Sequence, residues 1–355
     1  MSTTKVQSDM IETFAGKNLI INGDMAIAQR GTSFAAATNE YTLDRWKYML
    51  TGAGAVTVTQ DTDVPNNTFG FSLKVDVTTA DDSLASGDRY RLQYAVEGFD
   101  AAQLSFGTAD AKTITVSFWV KSPKTGQHSI FLANSAWDRF YPAIYSVSSA
   151  DTWEEKSVTI AGDTSGTWVG ATNGIGLYLA VILAIGSTYH GTVDAWNAGQ
   201  AYGDASNINI MDNTANNFFI TGIQLEVGSA ASDFEHRDYA SELARCSRYF
   251  FQYNQNTGPY QREHWGTHNV STTQSDVAIQ YPVAMRTAPT FSTGASVDDW
   301  RINGASCSAI PATVNVIHEA ACRVRFTVAS GLILNEAAFI DARVAGAKLV
   351  FSAEF

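Results

Sequence analysis

The chain is poor in charge, and most of the charge it has is negative. Only 16% of its 355 residues are Asp, Glu, Lys or Arg, and 23 basic against 35 acidic residues give a net charge of −12. An average soluble domain carries roughly 25% charged residues. Because so acidic a chain lacks a basic patch, its composition argues against binding to nucleic acid and against attraction to an anionic membrane surface.

Glutamate is scarce relative to aspartate, since the 35 acids divide into 23 Asp and 12 Glu. Asp favours turns and helix caps, whereas Glu favours helix interiors. The acidity therefore belongs to loops, and the composition argues against a helix-rich α/β enzyme. With 45% apolar and 12% aromatic residues, the chain has enough material for two buried cores.

Cysteine is also scarce, with Cys246, Cys307 and Cys322 widely spaced. An odd number at this spacing does not form a disulfide framework. A single bridge between Cys307 and Cys322 is arithmetically open, but three buried thiols in a chain folded in reducing cytoplasm is the simpler interpretation.

Long apolar runs are missing. The longest, Ile175–Ile185, is interrupted by Gly176 and Tyr178 and is too short to span a bilayer. Residues 1–17 are polar and lack the apolar core of a signal peptide, so we expect synthesis and folding without Sec-type export. We interpret residues 1–17 as an extended tail that attaches to a partner.

Short alternating runs separated by Gly, Asn, Asp and Ser recur over residues 18–237. Apolar residues occupy every second position, which is typical of antiparallel sheets with one buried face. The predicted strands lie at residues 19–21, 56–59, 71–77, 114–120, 157–160, 175–179 and 218–225. The pattern predicts an all-β chain whose N-terminal domain, residues 18–237, is a jelly roll or β-sandwich.

Residues 238–253 break this pattern. Asp238 is a suitable helix cap, and apolar residues then recur at intervals of four, three, four and three, which predicts a connecting helix. Alternation resumes at residues 277–283, 324–328 and 349–355. Residues 254–355 are therefore predicted to form a smaller C-terminal β-sandwich domain.

Three groups of residues stand out as motifs. They are residues 18–33 (NLIINGDMAIAQRGTS) followed by 41–46 (YTLDRW), residues 219–228 (FITGIQLEVG) followed by 234–237 (FEHR) and 242–249 (ELARCSRY), and residues 281–290 (YPVAMRTAPT). These groups resemble phage virion proteins of the tail-fibre type. In that family the first two groups bracket a jelly-roll domain similar to carbohydrate-binding modules, and the third lies in a small C-terminal β domain. Residues 5–11 (KVQSDMI) also resemble the start of many such fibres. The chain lacks the shaft repeats usual in long fibres, so the resemblance implies a short fibre, a tip or a decoration protein.

Candidate catalytic residues have simpler structural explanations. His264 and His268 are four residues apart, which on a helix suits zinc, but a glycine lies between them and no helical period surrounds them. Cys246, despite its neighbours Arg245 and Arg248, lies on the apolar face of the predicted helix. We therefore predict neither an enzyme nor a metal centre built on these residues.

Acidic loops leave two alternatives open. Glycoside hydrolysis needs two carboxylates at a fixed separation, and sequence spacing does not identify such a pair among 35 acids. Loops at residues 61–67, 204–207 and 212–213 offer Asp and Asn oxygens that could ligate calcium, although turn chemistry explains them equally well. Calcium binding is left as an alternative, and no other cofactor is expected.

Aromatic residues in loops are the best binding signal. Their faces could stack on sugar rings, or they could instead cap the ends of the sandwich or fill a subunit interface. The predicted glycan-binding residues are Trp137, Tyr141, Trp168, Tyr189, Trp196 and Tyr202.

These observations favour a phage virion structural protein, made in the bacterial cytoplasm and displayed as a short tail fibre or tail-tip component that recognises a host-surface glycan. Residues 1–17 would attach it to other virion proteins, and the resemblance implies a homotrimer. A head fibre or capsid decoration protein is the first alternative. A polysaccharide-binding module of a secreted hydrolase is the second, and it is disfavoured because no export signal is visible.

Overall fold

The computed structural model describes residues 17–36, 38–254, 262–293, 299–309, 316–344 and 346–355. It confirms the all-β prediction, because strands dominate both compact units of the chain. The first unit extends to Glu242 and the second runs from Leu243 to Phe355. No helix among the described residues is long and apolar enough to cross a membrane.

One antiparallel sheet of the first unit has six strands. Its strands are, in spatial order, β1 (Ser33–Ala36), β4 (Ala55–Asp61), β5 (Ser72–Thr79), β13 (Asn217–Val227), β7 (Ile114–Lys121) and β10 (Glu154–Ile160). Apart from the consecutive strands β4 and β5, neighbours in this order are not consecutive in the chain, so mainly non-local pairing builds the sheet.

The other sheet of the first unit has seven strands. In spatial order they are β12 (Asn197–Ala198), β9 (Arg139–Val147), β8 (Gly126–Ala133), β11 (Ile175–Ile185), β6 (Arg89–Glu97), β3 (Lys47–Thr51) and β2 (Glu40–Tyr41). A short helix, α1 (Gly98–Ala101), and two 3-10 turns, Ala102–Leu104 and Ser187–Tyr189, lie in its connections.

The inner faces of the two sheets form the core. Along β6 every second residue, including Tyr90 and Tyr94, is buried and points inward, because successive side chains of a strand alternate between faces. The ring of Phe118 on β7 packs edge-on against the ring of Tyr145 on β9, with 5.0 Å between the ring centres, and this contact joins one sheet to the other. By the same alternation, Arg91 and the other odd-numbered residues of β6 lie on the outer face of the seven-stranded sheet.

Residues 19–21 are not a strand, contrary to the sequence prediction. They are buried, but side chains take two of their three backbone N–H groups: the Ile20 N–H donates to Asn18 Oδ1 at 2.9 Å and the Ile21 N–H to the Tyr94 hydroxyl at 2.8 Å. The Leu19 N–H donates to the Leu225 carbonyl at 2.9 Å. An apolar run indicates burial, but it does not say whether a neighbouring strand or a side chain satisfies the backbone.

This segment is part of what we call the N-terminal clasp, formed by Asn18, Ile20, Asn22, Arg237 and Glu242. Arg237 donates from Nη1 to the Ile20 carbonyl at 3.1 Å and from Nη2 to the Asn18 carbonyl, and it pairs with Glu242 at 3.3 Å. The Asn22 N–H donates to Glu242 Oε1. Two motifs that carry the family resemblance, more than 200 residues apart, thus meet in one polar network.

The connecting helix is shorter than predicted. Asp238 caps it as expected, accepting from the Ser241 N–H at 3.0 Å, and α2 covers Tyr239–Ser247. The chain then forms β14 (Phe250–Asn254), which pairs with β23 (Lys348–Ser352). Consecutive aromatic residues favour strands, and pairing with β23 overrides the helical spacing that extended the prediction to residue 253.

The second unit contains two antiparallel sheets. In the larger sheet a further pairing between β16 (Gln274–Gln280) and β21 (Ala321–Val328) closes the strands on themselves around a core that includes Trp300 and Phe326. The smaller sheet has the order β14, β23, β17 (Thr290–Ser292). The order in the larger sheet is β16 (Gln274–Gln280), β15 (Arg262–Asn269), β22 (Ala337–Ala342), β18 (Trp300–Ile302), β19 (Ala305–Ala309), β21 (Ala321–Val328) and β20 (Val316–Ile317).

All three cysteines are buried free thiols, as expected. Burial raises the pKa of Cys307 to about 12 and also raises the pKa of Cys322. These thiols are core residues.

Candidate functional site

The six predicted glycan-binding residues separate into two groups in the first unit. Trp137, Tyr189 and Tyr202 lie on the outer face of the seven-stranded sheet. Tyr141, Trp168 and Trp196 lie at one end of the sandwich. We call the first group, with its neighbours Arg91, Phe131, Phe140 and Tyr178, the face cluster, and the second, with Phe106, Arg139 and Asp163, the end cluster.

The face cluster is built on strand register. Tyr178 of β11 is opposite Ala95 of β6 and Ala133 of β8, and Ala133 is opposite Phe140 of β9. Cross-strand neighbours on one face of a sheet contact each other, so this row makes a continuous surface. The small alanines leave room above the sheet for the larger side chains that flank them.

Trp137 reaches this surface from the turn between β8 and β9. Its ring lies 4.7 Å from the ring of Tyr178, and both side chains are partly exposed. Asn134 holds the turn, because its Oδ1 accepts from the N–H groups of Asp138 and Arg139 at 3.2 Å each. Trp137 has a φ of 59°, a left-handed conformation that is strained for a bulky residue and common at functional sites.

Tyr189 and Tyr202 are the buried members of the face cluster. Their rings stack at 4.6 Å with an interplanar angle of 3°, and Tyr202 stacks in turn on Phe131 at 4.6 Å. Both tyrosines are buried, so neither presents a free face to a ligand. Of the three predicted residues in this cluster, Trp137 is the one that a sugar could reach.

Two polar side chains of β6 complete the face. Arg91 is buried among the rings, with its guanidinium 5.2 Å from the centre of Tyr202 and 5.4 Å from that of Trp137. Its Nε donates to Gln93 Oε1 at 2.9 Å. The sequence reasoning missed Arg91, Gln93 and Tyr178, although the alternation of polar and apolar residues along β6 was available as a signal.

In the end cluster, the polar atoms are paired within the protein. Arg139 donates from Nε and Nη2 to the two carboxylate oxygens of Asp163, each at 2.7 Å, which raises the pKa of Arg139. Trp168 Nε1 donates to the Ser165 carbonyl at 3.0 Å, and Trp196 Nε1 to the Ala161 carbonyl at 2.8 Å. This cluster has the arrangement expected of a cap on the sandwich, the alternative role considered for the loop aromatics.

A cavity of about 360 Å³ adjoins the end cluster. It lies between the turn after β6 and the loop before β11, and its lining residues include Leu104, Phe106, Trp168, Val169 and Leu177. Among the described residues, no charged side chain lines it. Its volume is at the lower end for small-ligand pockets, but its wall offers few groups that would orient a sugar.

The acidic loops considered for calcium use their carboxylates within the fold. Asp63 accepts from Trp153 Nε1 at 2.8 Å and pairs with Lys121, Asp204 accepts from Gln127, and Asp212 pairs with Lys124. Within the described ranges, no three His, Cys, Asp or Glu side chains come together as metal ligands. His268 lies on strand β15, whereas the side chain of His264 is outside the described residues.

Comparison with known proteins returns no matching protein-family model and no matching curated sequence. Comparison with solved structures returns partial matches of low similarity. The enzymatically active domain of tailspike protein 4 from bacteriophage CBA120 is 14% identical with a TM-score of 0.31, over 60% of this chain and 22% of that one. A CBM4 carbohydrate-binding module is 11% identical with a TM-score of 0.30, over 58% of this chain and 98% of the module.

A family 22 carbohydrate-binding module from Clostridium thermocellum is 14% identical with a TM-score of 0.30, over 55% of this chain and 94% of the module. An α-L-arabinofuranosidase is 15% identical with a TM-score of 0.30, over 57% of this chain and 25% of that enzyme. The chain thus spans about a fifth of the tailspike domain and a quarter of the arabinofuranosidase. At these TM-scores and identities the neighbours do not decide what this chain binds.

Proposed function

We propose that the chain is a structural protein of a phage particle, a short tail fibre or tail-tip component, whose first unit presents a glycan-binding face to the host surface. The observation that carries the glycan-binding proposal is the partly exposed Trp137–Tyr178 pair beside Arg91 and Gln93. Aromatic faces with adjacent polar groups suit a sugar, whose ring has apolar C–H faces and hydroxyl edges.

The face cluster supports this role better than the end cluster does. Trp137 is held in a strained backbone conformation and lies next to Arg91, whose Nη1 has no partner among the described residues, whereas in the end cluster Arg139 is paired with Asp163. Residues held in strained conformations cluster at binding sites and ligand clamps.

A glycan array of bacterial surface polysaccharides, probed with the full chain, tests the binding proposal. We expect Trp137→Ala and Tyr178→Ala each to weaken binding about tenfold or more, the effect of losing a central aromatic contact. Trp153→Ala is the matched control, because Trp153 lies next to the six-stranded sheet and donates to Asp63. Absence of any glycan binding, or an equal loss in the control, would contradict the proposal.

The virion role is supported by the resemblance of residues 18–33, 219–228 and 281–290 to tail-fibre proteins. We propose that residues 1–17 attach the protein to other virion components and that it assembles as a homotrimer. Mass spectrometry of separated heads and tails distinguishes a tail component from a head fibre or decoration protein. Light scattering of the purified chain tests the assembly, and a stable monomer would contradict it.

A further inference from the structure

Arg91 is a buried cation without a carboxylate partner. Its side chain is 3% exposed, and among the described residues it forms no ion pair. Its Nε is satisfied by Gln93, but its Nη1 is buried with no hydrogen-bond partner in the described part of the chain. Burial lowers the pKa of Arg91, yet a guanidinium stays protonated in proteins, so the positive charge remains.

Buried cations in proteins are normally paired, because an isolated charge in an apolar environment is costly. Two other arginines of this unit follow the rule: Arg139 pairs with Asp163, and Arg237 pairs with Glu235 and Glu242. Around Arg91 the rings of Phe131, Trp137 and Tyr202, with centres at 5.2–5.8 Å, supply cation–π contacts instead. Those contacts stabilise the charge only in part.

The groups next to Arg91 on the outer face are also donors. Gln93 gives its side-chain oxygen to Arg91, which leaves its Nε2 with no hydrogen-bond partner among the described residues. Lys47 of β3 is directly opposite Gln93 in the strand register, with its Nζ 4.9 Å from the ring centre of Tyr41. The face therefore offers N–H donors and positive charge in a chain of net charge −12.

We propose that the face cluster selects sugars that carry a carboxylate, such as a uronic acid. This inference rests on the proposed glycan-binding function and specifies its ligand. The carboxylate accepts hydrogen bonds from Arg91 Nη1 and Gln93 Nε2, while the sugar ring packs on Trp137 and Tyr178. As the anion enters, the Trp137 ring rotates away from the Arg91 guanidinium. Charge-assisted hydrogen bonds, which are among the stronger interactions in proteins, then replace the weaker cation–π contact.

The first test compares matched ligands on the full chain. The glycan array is scored for carboxylated against neutral glycans, and ligand-observed NMR compares methyl β-glucuronide, methyl β-glucoside and glucose 6-phosphate. We expect the carboxylated ligands to bind at least tenfold more tightly, with an affinity that falls as salt rises. Neutral glycans bound as tightly would overturn the inference but leave the glycan-binding proposal standing, and preference for the phosphate would overturn the carboxylate assignment. If no glycan binds, both the glycan-binding proposal and the carboxylate assignment are wrong.

The second test uses Gln93→Glu, which is designed to keep the fold. The introduced carboxylate still accepts from Arg91 Nε, but it neutralises the guanidinium and repels an anionic ligand. We expect at least tenfold weaker binding of carboxylated glycans, unchanged binding of neutral ones and an undiminished melting temperature. Ser157→Glu, at an exposed position of β10 in the other sheet, is the control for added negative charge. Unchanged binding of carboxylated glycans by Gln93→Glu would overturn the inference.

A third variant, Arg91→Met, removes the charge and keeps much of the packing volume. Its expected result is the loss of the preference for carboxylated over neutral glycans, measured as the ratio of the two affinities in the same sample. Because a ratio is measured, a modest loss of folded protein does not alter the result. A ratio equal to that of the unmodified chain would count against Arg91 as the recognition group.

Discussion

The face cluster and the end cluster each contain similar aromatic residues around one arginine, but the two arginines differ in their hydrogen-bond partners. In the end cluster Arg139 forms two hydrogen bonds of 2.7 Å with Asp163. In the face cluster Arg91 is surrounded by rings, and its Nη1 has no partner among the described residues. The two arginine pKa values shift in opposite directions for this reason: pairing raises that of Arg139, and burial lowers that of Arg91.

We propose that the pairing of polar atoms, rather than the residue types present, distinguishes a cluster that stabilises the fold from a cluster that binds a ligand. Where the fold itself satisfies each donor, as at Trp196 and Arg139, the aromatic residues stabilise the domain. Where a buried donor is left open next to a partly exposed aromatic pair, a ligand can complete the network. The following variants test this distinction, from the largest expected effect to the smallest.

Replacing Asp163 should give the largest effect. Asp163→Asn leaves Arg139 without its counter-ion, and breaking a buried pair in this way costs about 3 kcal/mol of unfolding free energy. Urea unfolding of the full chain measures it, with Asp82→Asn as the control because Asp82 is exposed and its side chain forms no ion pair or hydrogen bond among the described residues. Equal destabilisation by the two variants would show that the Arg139–Asp163 pair is not a structural element.

Truncating one tryptophan in each cluster should separate stability from binding. Both rings are partly exposed, so each substitution by alanine should cost about 1–2 kcal/mol of stability. Trp196→Ala removes contacts with Tyr141 and Trp168 and should leave glycan affinity nearly unchanged, whereas Trp137→Ala should lose glycan affinity. Thermal unfolding and glycan binding measured on both variants check this, and an equal loss of glycan affinity would remove the distinction between the clusters.

The smallest predicted effect concerns the backbone of Trp137. At a φ of 59° glycine is unstrained, whereas alanine keeps the steric conflict between its Cβ and the backbone. Trp137→Gly should therefore be about 1 kcal/mol more stable than Trp137→Ala, although both lose the same ring. Urea denaturation midpoints of the two variants measure the difference. A less stable glycine variant would indicate that the left-handed conformation carries no strain.

Much of the fold could be predicted from alternation, because most strands of the six-stranded sheet have one buried and one solvated face. Residues 71–77 and 114–120 alternate clearly and lie in β5 and β7. The seven-stranded sheet was harder to predict. The face cluster covers part of its outer side, so Gly126–Ala133 ends in a continuous apolar run, and β8 and β9 were missed.

The candidate site was predictable only in part. Trp137 stands in a polar loop, where an aromatic residue is conspicuous, and the structure places it on an open face. Tyr141 and Tyr202 come from stretches that look similar in sequence, but Tyr141 lies on β9, paired with Leu132, and Tyr202 stacks on Tyr189, so both are buried. Arg91 and Gln93 carry no local sign of being close to Trp137, since that proximity depends on the register of β6, β11 and β8.

The N-terminal clasp also determines how tension would pass through the protein. Residues 18–22 and 237–242 are the entry and exit of the first unit, and Arg237 and Glu242 tie them directly together. A pull applied to the chain on both sides of the first unit would therefore load these hydrogen bonds and this ion pair before it reaches the two sheets.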